Sequence, residues 1–290
     1  MLLLTRRHFF YSLVPLDGFP LGVTTDEIDE DLVTAAKFLS EFHLRYAEVR
    51  SIWGRYNTAQ PLDKIREAKG ILDGYKVRTS VLSSAFFKIP LPPDTAVGRA
   101  VLDCQWAVLD AAMERAALLG TDKVRTFAFN LEKGQAADEK TLGRIWELVA
   151  EAARRAKVRH MRLAVENVGG SFVSTGAEAA MLLKAVPADN VGLTWDPNNA
   201  ALSGERPPFP TGYSRLDPAR IFHVHLRDFK GDQWCAVGEG EMDNLGQIRA
   251  LLRDGYKEAF TLETHWRSPL GKMHATRTSL GGLLKVIEKV

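Results

Sequence analysis

The stretch Ile221-Phe222-His223-Val224-His225-Leu226-Arg227-Asp228 alternates like a buried β-strand that ends in polar residues. Side chains on a strand point to opposite faces in turn, so His223 and His225 share one face and apolar residues fill the other. A purely structural strand seldom places two imidazoles on one face, and histidine is the commonest metal ligand. The stretch therefore predicts a strand that brings His225 to a metal site; the alternative is a pair of core histidines satisfied by their neighbours.

Three further apolar runs each end in a carboxylate. They lie at 162–167, 191–199 and 259–265, and their carboxylates are Glu166, Asp196 and Glu263. From Glu166 through His225 to Glu263 the four polar groups are 30, 29 and 38 residues apart. One strand–helix unit of an eight-fold α/β barrel takes about 30–36 residues. The spacing predicts that four successive strands bring these groups to one rim, where such barrels have their active sites.

The whole chain alternates in the same manner. Strands are predicted near 20–25, 44–50, 76–82, 123–129, 161–166, 191–196, 221–226 and 259–263, and the clearest helices near 26–41, 61–73, 94–119, 137–156, 175–186 and 280–290. Alternating strands and helices indicate a parallel sheet, and eight such units favour closure. We therefore predict an α/β fold, a single-domain (β/α)8 TIM barrel over residues 20–290. The long Pro-rich connection at 203–217 is a candidate active-site lid.

Bulk composition is that of an ordinary globular chain. Apolar residues make up 46%, charged residues 26%, and the formal net charge is +2, so no nucleic-acid or membrane partner is expected. No run approaches the roughly 18 apolar residues that a membrane-spanning helix needs. Cys104 and Cys235 lack the spacing of a metal pair and are interpreted as free thiols of a reducing compartment.

The first residues carry one competing signal. Arg6 and Arg7 resemble the start of a twin-arginine export signal. Pro15 and Asp17 interrupt the apolar run that a signal requires, and no small-residue cleavage site follows. We therefore interpret 1–19 as an N-terminal extension, a degenerate export signal at most, and expect a cytoplasmic protein.

The four polar groups suggest both a cofactor and a reaction. Three carboxylates and one imidazole form a hard-to-borderline ligand set for one divalent ion, with Mn the first choice and Mg, Co or Zn as alternatives. Such an ion acidifies the C–H between a carbonyl and a neighbouring hydroxyl by stabilising an enediolate. Glu166 and Glu263 are the candidate acid and base. Return of the proton to the opposite face is epimerisation, return to the neighbouring carbon is isomerisation, and loss of a β-hydroxyl is dehydration.

Other polar residues lie at predicted strand ends or on the loops that follow. There they could form hydrogen bonds with sugar hydroxyls, but each one considered alone could equally be an ordinary solvated surface residue. The candidates for substrate contact are Arg50, Trp53, Lys88, Asn130, Asn167, Asn199, Arg227, Glu239 and His265. His223 lies one strand layer below His225 and is expected to orient a ligand from beneath. The expected partner is a small sugar or polyol, and self-association into a homo-oligomer stays open.

Four places in the sequence carry a resemblance to a known family. LAVENVGG surrounds Glu166, VGLTWDPNNA surrounds Asp196, IFHVHLRDFKG surrounds His225, and VGEGEMDN with FTLETHW precedes and surrounds Glu263, while YAEVRSIWG is similar to the family's second strand. Over residues 20–290 the chain resembles the sugar phosphate isomerase/epimerase family of xylose isomerase-like TIM barrels. The resemblance implies a divalent metal held by these four residues, with the two glutamates doubling as acid and base.

One position departs from the family pattern. Ketose 3-epimerase members carry histidine three residues after the aspartate, where this chain has Asn199, which cannot transfer a proton. Isomerase activity and dehydratase (lyase) activity therefore remain alternatives to epimerase activity. An apurinic endonuclease of similar fold would need more histidine ligands and a basic face. A non-catalytic sugar-binding barrel would not need all four ligands.

Overall fold

Parallel strands close on themselves in the computed structural model, which describes residues 18–132 and 134–290. The barrel strands are β1 (Leu21–Thr24), β2 (Tyr46–Val49), β3 (Arg78–Ser83), β4 (Lys123–Thr126), β5 (Arg162–Glu166), β6 (Val191–Trp195), β7 (Ile221–Leu226) and β8 (Phe260–Leu262). Each strand pairs in parallel with its neighbours along the chain, and β8 pairs with β1 to complete the circle. The single-domain (β/α)8 TIM barrel predicted from the sequence is confirmed.

Helices follow the strands and cover the outside of the barrel. They are α1 (Thr25–Ile28), α2 (Leu32–Glu41), α3 (Leu62–Gly74), α4 (Ala96–Leu119), α5 (Glu139–Val158), α6 (Gly176–Ala185), α7 (Pro197–Leu202), α8 (Asn244–Arg253) and α9 (Lys272–Ile287). The last helix begins eight residues before the predicted start at 280. Across the described part of the chain, none of these helices has the length and apolarity to cross a membrane. The twin-arginine-like pair Arg6 and Arg7 lies outside the described residues.

The two faces of the strands have different chemistry. Val165, Leu193, Val224 and Leu262 are fully buried in the apolar cluster between strands and helices. Most of the residues that alternate with them are polar, and these line the inside of the barrel. Glu166 pairs in register with Thr194, and His225 with Thr261. The barrel interior is therefore a buried polar environment, and its polar groups must find partners or a ligand there.

The first helix is broken where the sequence predicted one helix over 26–41. Asp31 accepts hydrogen bonds from the backbone N–H and hydroxyl of Thr34 at 2.9 and 2.7 Å, and this cap starts α2 anew. Asp29 accepts a hydrogen bond from the Asp31 N–H at 2.9 Å. The break separates the short α1 from α2. Asp26 and Glu27 on α1 both reach Arg50 at the rim.

The segment 203–217, predicted as a candidate lid, contacts the helices that follow β5 and β7. Glu205 accepts hydrogen bonds from the backbone N–H groups of Gly176 and Ala177 at the start of α6. Tyr213 donates a hydrogen bond to Asp254, just after α8, at 2.9 Å. The segment thus takes the place of a long helix between β6 and β7, and these contacts hold it against α6 and the end of α8.

Close helix packing gives a stability prediction at Gly282 on α9. A Cβ added there would lie 1.7 Å from the Val237 carbonyl oxygen, so the backbone would have to move. We expect Gly282→Ala to lower the free energy of unfolding by about 1–3 kcal/mol in urea titrations. Gly143→Ala in α5 is the control, because nothing lies within 4 Å of its added Cβ. The control should be stabilised by about 0.5–1 kcal/mol through helix propensity; equal unfolding free energies for the two variants would contradict the packing argument.

Candidate metal centre at the barrel rim

Four buried side chains meet at the carboxyl end of the barrel: Glu166, Asp196, His225 and Glu263, called the rim cluster below. Each offers one ligand atom, and these atoms all lie within 4.8 Å of one another. Glu166 ends β5, Asp196 and Glu263 directly follow β6 and β8, and His225 lies near the end of β7. The sequence spacing thus correctly brings the four groups together, because successive parallel strands end at the same rim.

His225 lies at the centre of the rim cluster. Its Nδ1 is 3.6 Å from Glu166 Oε1, 3.5 Å from Asp196 Oδ2 and 3.3 Å from Glu263 Oε2. Among the described residues, this buried Nδ1 has no hydrogen-bond partner. Ligand atoms around one divalent ion with bonds of about 2.0–2.3 Å lie roughly 3–4 Å apart. The donor set, its spacing and the unpartnered nitrogen therefore fit a single divalent metal ion.

Asp196 is positioned by two asparagines predicted as substrate ligands. Asn167 accepts a hydrogen bond from the Asp196 N–H and donates one to the Asp196 carbonyl, both at 2.8 Å. The Asn199 N–H donates to Asp196 Oδ1 at 2.9 Å, so Asp196 also caps α7. The Asn199 amide donates to Glu166 Oε1 at 3.3 Å and to the Asn167 carbonyl at 2.9 Å. Asn167 thus holds the backbone of Asp196 in place, and Asn199 holds the carboxylates of Asp196 and Glu166.

Each carboxylate of the rim cluster also faces an arginine. Arg125 Nη1 lies 2.9 Å from Glu166 Oε2, Arg50 Nη1 lies 2.5 Å from Glu263 Oε1, and Arg227 Nη2 contacts Asp196 Oδ2. Arg125 and Arg227 are themselves almost fully buried. Burying a carboxylate in this way requires a partner of opposite charge. The three arginines therefore allow three acidic groups to be buried together.

Glu263 is surrounded by nitrogen-bearing side chains. His265 Nε2 lies 3.3 Å from Glu263 Oε1, and Arg227 Nη1 lies 3.4 Å from Oε2. Arg227 Nη1 also donates to His265 Nδ1 at 2.8 Å. Burial alone would raise the pKa of Glu263, but His265, His225 and Arg227 hold this pKa well below its ordinary value. Glu263 is therefore an ionised carboxylate that can accept a proton.

A cleft adjoins the rim cluster on the β8 side, here called the outer cleft. It has a volume of about 630 Å³, and Arg50, Trp234, His265 and Trp266 are among its lining residues. Trp234 lies on a hairpin formed by Asp228–Lys230 and Gln233–Cys235. The Arg227 guanidinium lies 4.5 Å from the Trp234 ring centre, and His265 meets the same ring edge-on. Trp234 was not among the residues predicted to contact substrate, and its place beside Arg227 and His265 depends on this short hairpin.

A buried carboxylate beneath the rim cluster was also missed. Glu48 Oε2 lies 2.9 Å from both His223 Nε2 and His225 Nε2, and Ser83 donates to Glu48 Oε1. Burial would raise the pKa of Glu48, but the two imidazoles hold it well below its ordinary value. Glu48 lies inside β2, and Arg125 lies inside β4. A charged residue inside a short barrel strand is the sequence signal that could have identified both as site residues.

The remaining predicted site residues divide between the rim and more distant positions. The Lys88 ammonium lies 4.7 Å from the Phe127 ring centre, and partial desolvation and the charge of Arg125 lower the pKa of Lys88. Trp53 is instead approached by Lys64 and bonded through its backbone to Glu30. Asn130 bridges Pro90 and Ser171 through its backbone, and Glu239 is an exposed residue facing α9. None of the contacts described for these last three reaches the rim cluster.

Solved structures share this fold at low sequence identity. IolI protein with a bound zinc atom superposes with a TM-score of 0.75 at 18% identity, covering 93% of this chain and 99% of that chain. D-allulose 3-epimerase from Methylomonas sp. in complex with D-allulose gives 0.72 at 16%, covering 93% and 96%. A xylose isomerase-like TIM barrel protein from Mycobacterium smegmatis in complex with magnesium gives 0.67 at 17%, covering 93% and 97%. These similarities establish the shared fold.

A family model provides the closer assignment. No curated protein matches the sequence. The model described as xylose isomerase-like TIM barrel matches residues 38–286, a range that includes β2 to β8 and every residue of the rim cluster. The family resemblance drawn from the sequence motifs is therefore confirmed, and the chain belongs to the xylose isomerase-like TIM barrel family.

Proposed function

We propose that this protein is a divalent-metal-dependent isomerase or epimerase of a small sugar or polyol. The observation that carries the proposal is the rim cluster, in which four buried ligand atoms lie within 4.8 Å of one another. Glu166, Asp196, His225 and Glu263 would hold one ion, with Mn preferred and Mg, Co or Zn as alternatives. Family membership and the sugar epimerase and metal-containing structures of the same fold support this reading.

The metal would supply a positive charge that stabilises negative charge on two adjacent substrate oxygens. Glu263, which is ionised because its pKa is held well below its ordinary value, would then be the group that accepts the proton from the carbon between those oxygens. Glu166 comes from β5, and β6 and β7 separate that strand from β8, which precedes Glu263. A substrate lying between the two glutamates would receive its proton from Glu166.

Neighbouring polar groups would orient the substrate. Arg50, Arg227 and His265 surround Glu263 with nitrogen donors that match sugar oxygens. Asn199 already donates its amide N–H groups to Glu166 and to the backbone, and an amide does not transfer protons. Return of a proton from Glu166 to the opposite face of the same carbon would give epimerisation, and return of the proton now on Glu263 to the neighbouring carbon would give isomerisation.

Incubation with a panel of ketoses and aldoses in deuterated water tests the proposal. With metal-free protein reloaded with Mn2+, the sugar product should carry one solvent deuteron at a carbon next to its carbonyl. NMR of the product detects this deuteron. A product inverted at that carbon identifies an epimerase, and a shifted carbonyl identifies an isomerase. A product lacking one hydroxyl identifies the dehydratase alternative.

The control is the same incubation with protein held in a chelator. Exchange that is equally fast with and without the metal would overturn the proposal, since the rim cluster would then contribute nothing through a metal. Binding of a sugar without any exchange or turnover across the panel would favour a sugar-binding barrel.

A further inference from the structure

The inference concerns Glu48, which lies inside the barrel beneath the rim cluster. This carboxylate on β2 is fully buried and groups with His223 and His225, so that His225 is the residue it shares with the rim cluster. Its Oε2 is 2.9 Å from His225 Nε2, the ring nitrogen opposite to the one that faces the rim cluster. Its second partner, His223, lies two residues earlier on β7, at the same 2.9 Å.

The Glu48 carboxylate is fixed from several strands at once. Ser83 on β3 donates to Oε1, and Arg125 Nη1 on β4 lies 3.9 Å from the same oxygen. The two histidine rings are nearly perpendicular, at 88° with centres 5.4 Å apart, so both Nε2 atoms converge on the one remaining oxygen. The carboxylate therefore has little freedom to rotate away from either ring.

These contacts determine where a neutral His225 ring carries its proton. An ionised carboxylate is an acceptor only, so a ring nitrogen 2.9 Å away must donate. The proton then lies on Nε2, and the lone pair lies on Nδ1. That Nδ1 is the atom lying 3.3–3.6 Å from the three carboxylates of the rim cluster. With the opposite tautomer, two lone pairs would face each other and a proton would occupy the ligand position.

We propose that Glu48 is a positioning residue that holds His225 in the Nε2–H tautomer and so makes Nδ1 a metal ligand. The inference rests on the proposed function, because it takes the rim cluster to bind a divalent ion. Partners of this kind orient metal-binding histidines, and their loss typically costs about 10–100-fold in metal affinity. Glu48, His223 and His225 could also be considered as ligands of a second metal ion. We instead assign Glu48 a positioning role, because the Nε2 atoms of both histidines are hydrogen-bonded to its carboxylate.

The experiment measures Mn2+ and Zn2+ binding to metal-free protein by calorimetry. Wild type should bind one ion per chain, and Glu48→Gln should bind it about 10–100-fold more weakly. Ser80→Ala is the matched control, because it removes a buried hydroxyl that contacts the Ala47 carbonyl next to Glu48 without touching His225. Its affinity should remain within about threefold of wild type, a change of at most about 0.65 kcal/mol.

A spectroscopic reading keeps the proposal testable if Glu48→Gln fails to fold. In Zn2+-loaded wild type with 15N-labelled histidine, His225 should show a protonated Nε2 and a metal-bound Nδ1. A protonated Nδ1, unchanged affinity in folded Glu48→Gln, or two ions per chain would each overturn the role of Glu48. Wild type that binds neither metal would instead overturn the proposed metal-dependent function, and the role of Glu48 with it.

Discussion

Replacing Glu263 with glutamine is expected to lower kcat by about 10²–10⁴-fold on any genuine substrate. Glutamine keeps the size of the side chain and an oxygen that can face the metal, but it cannot accept a proton. Glu263 is the carboxylate whose pKa is held low by His265, His225 and Arg227. The loss should therefore appear in kcat and in solvent-deuterium exchange, while metal content stays close to that of wild type.

Glu27→Gln is the matched control for this variant. Glu27 also contacts Arg50, at 2.9 Å, and His265, at 3.5 Å, but it does not belong to the rim cluster. The control removes one charge from the same two partners and should cost less than about tenfold. Undiminished turnover in Glu263→Gln would rule out this residue as acid or base.

Metal binding is expected to stabilise the fold strongly, and Asp196→Ala should abolish this effect. An ion present at 1,000 times its Kd stabilises the native state by about 4 kcal/mol, which for a chain of this size raises Tm by roughly 7 °C. Asp196 is fully buried and lies beside His225 Nδ1. Removing it takes away one of four ligands, so thermal unfolding with and without Mn2+ should give the same Tm.

Asp196→Ala also removes a helix cap, and the control must do the same. Asp243 caps α8 by accepting a hydrogen bond from the Gly246 N–H at 2.8 Å, away from the rim cluster. Asp243→Ala should lower the stability of the fold by about 1 kcal/mol and leave the Mn2+-dependent shift in Tm intact. A metal shift retained in Asp196→Ala would remove Asp196 from the ligand set.

Much of this architecture was predictable because two features of the barrel repeat regularly. Side chains on a strand alternate between its two faces, and strand–helix units of similar length follow one another. Apolar runs ending in Glu166, Asp196 and Glu263 recur at the length of one strand–helix unit, and parallel strands bring such ends together. The same alternation predicted His225 correctly as the inward-facing group of β7. Regular periodicity was thus enough for the fold class and for the meeting of four side chains.

Other parts of the site depend on contacts between residues far apart in sequence. Glu48 and His225 are 177 residues apart, and nothing in either local pattern reports their pairing. Asn167 and Asn199 were predicted to face substrate, yet their amides bond to Asp196, Glu166 and the backbone. Asp29 and Asp31 looked like ordinary helix residues, but their side chains cap the backbone and divide the helix.

The pairing of β8 with β1 also sets the order of events during synthesis. Glu263 follows His225 by 38 residues along the chain, and β8 supplies the last strand of the circle. On the ribosome, the earlier strands can pair with their neighbours as they emerge, but the ring stays open until residues 260–262 have left the exit tunnel. The rim cluster is therefore complete only at that late stage, and the proposed metal site cannot form in a nascent chain before Glu263 has emerged and the barrel has closed.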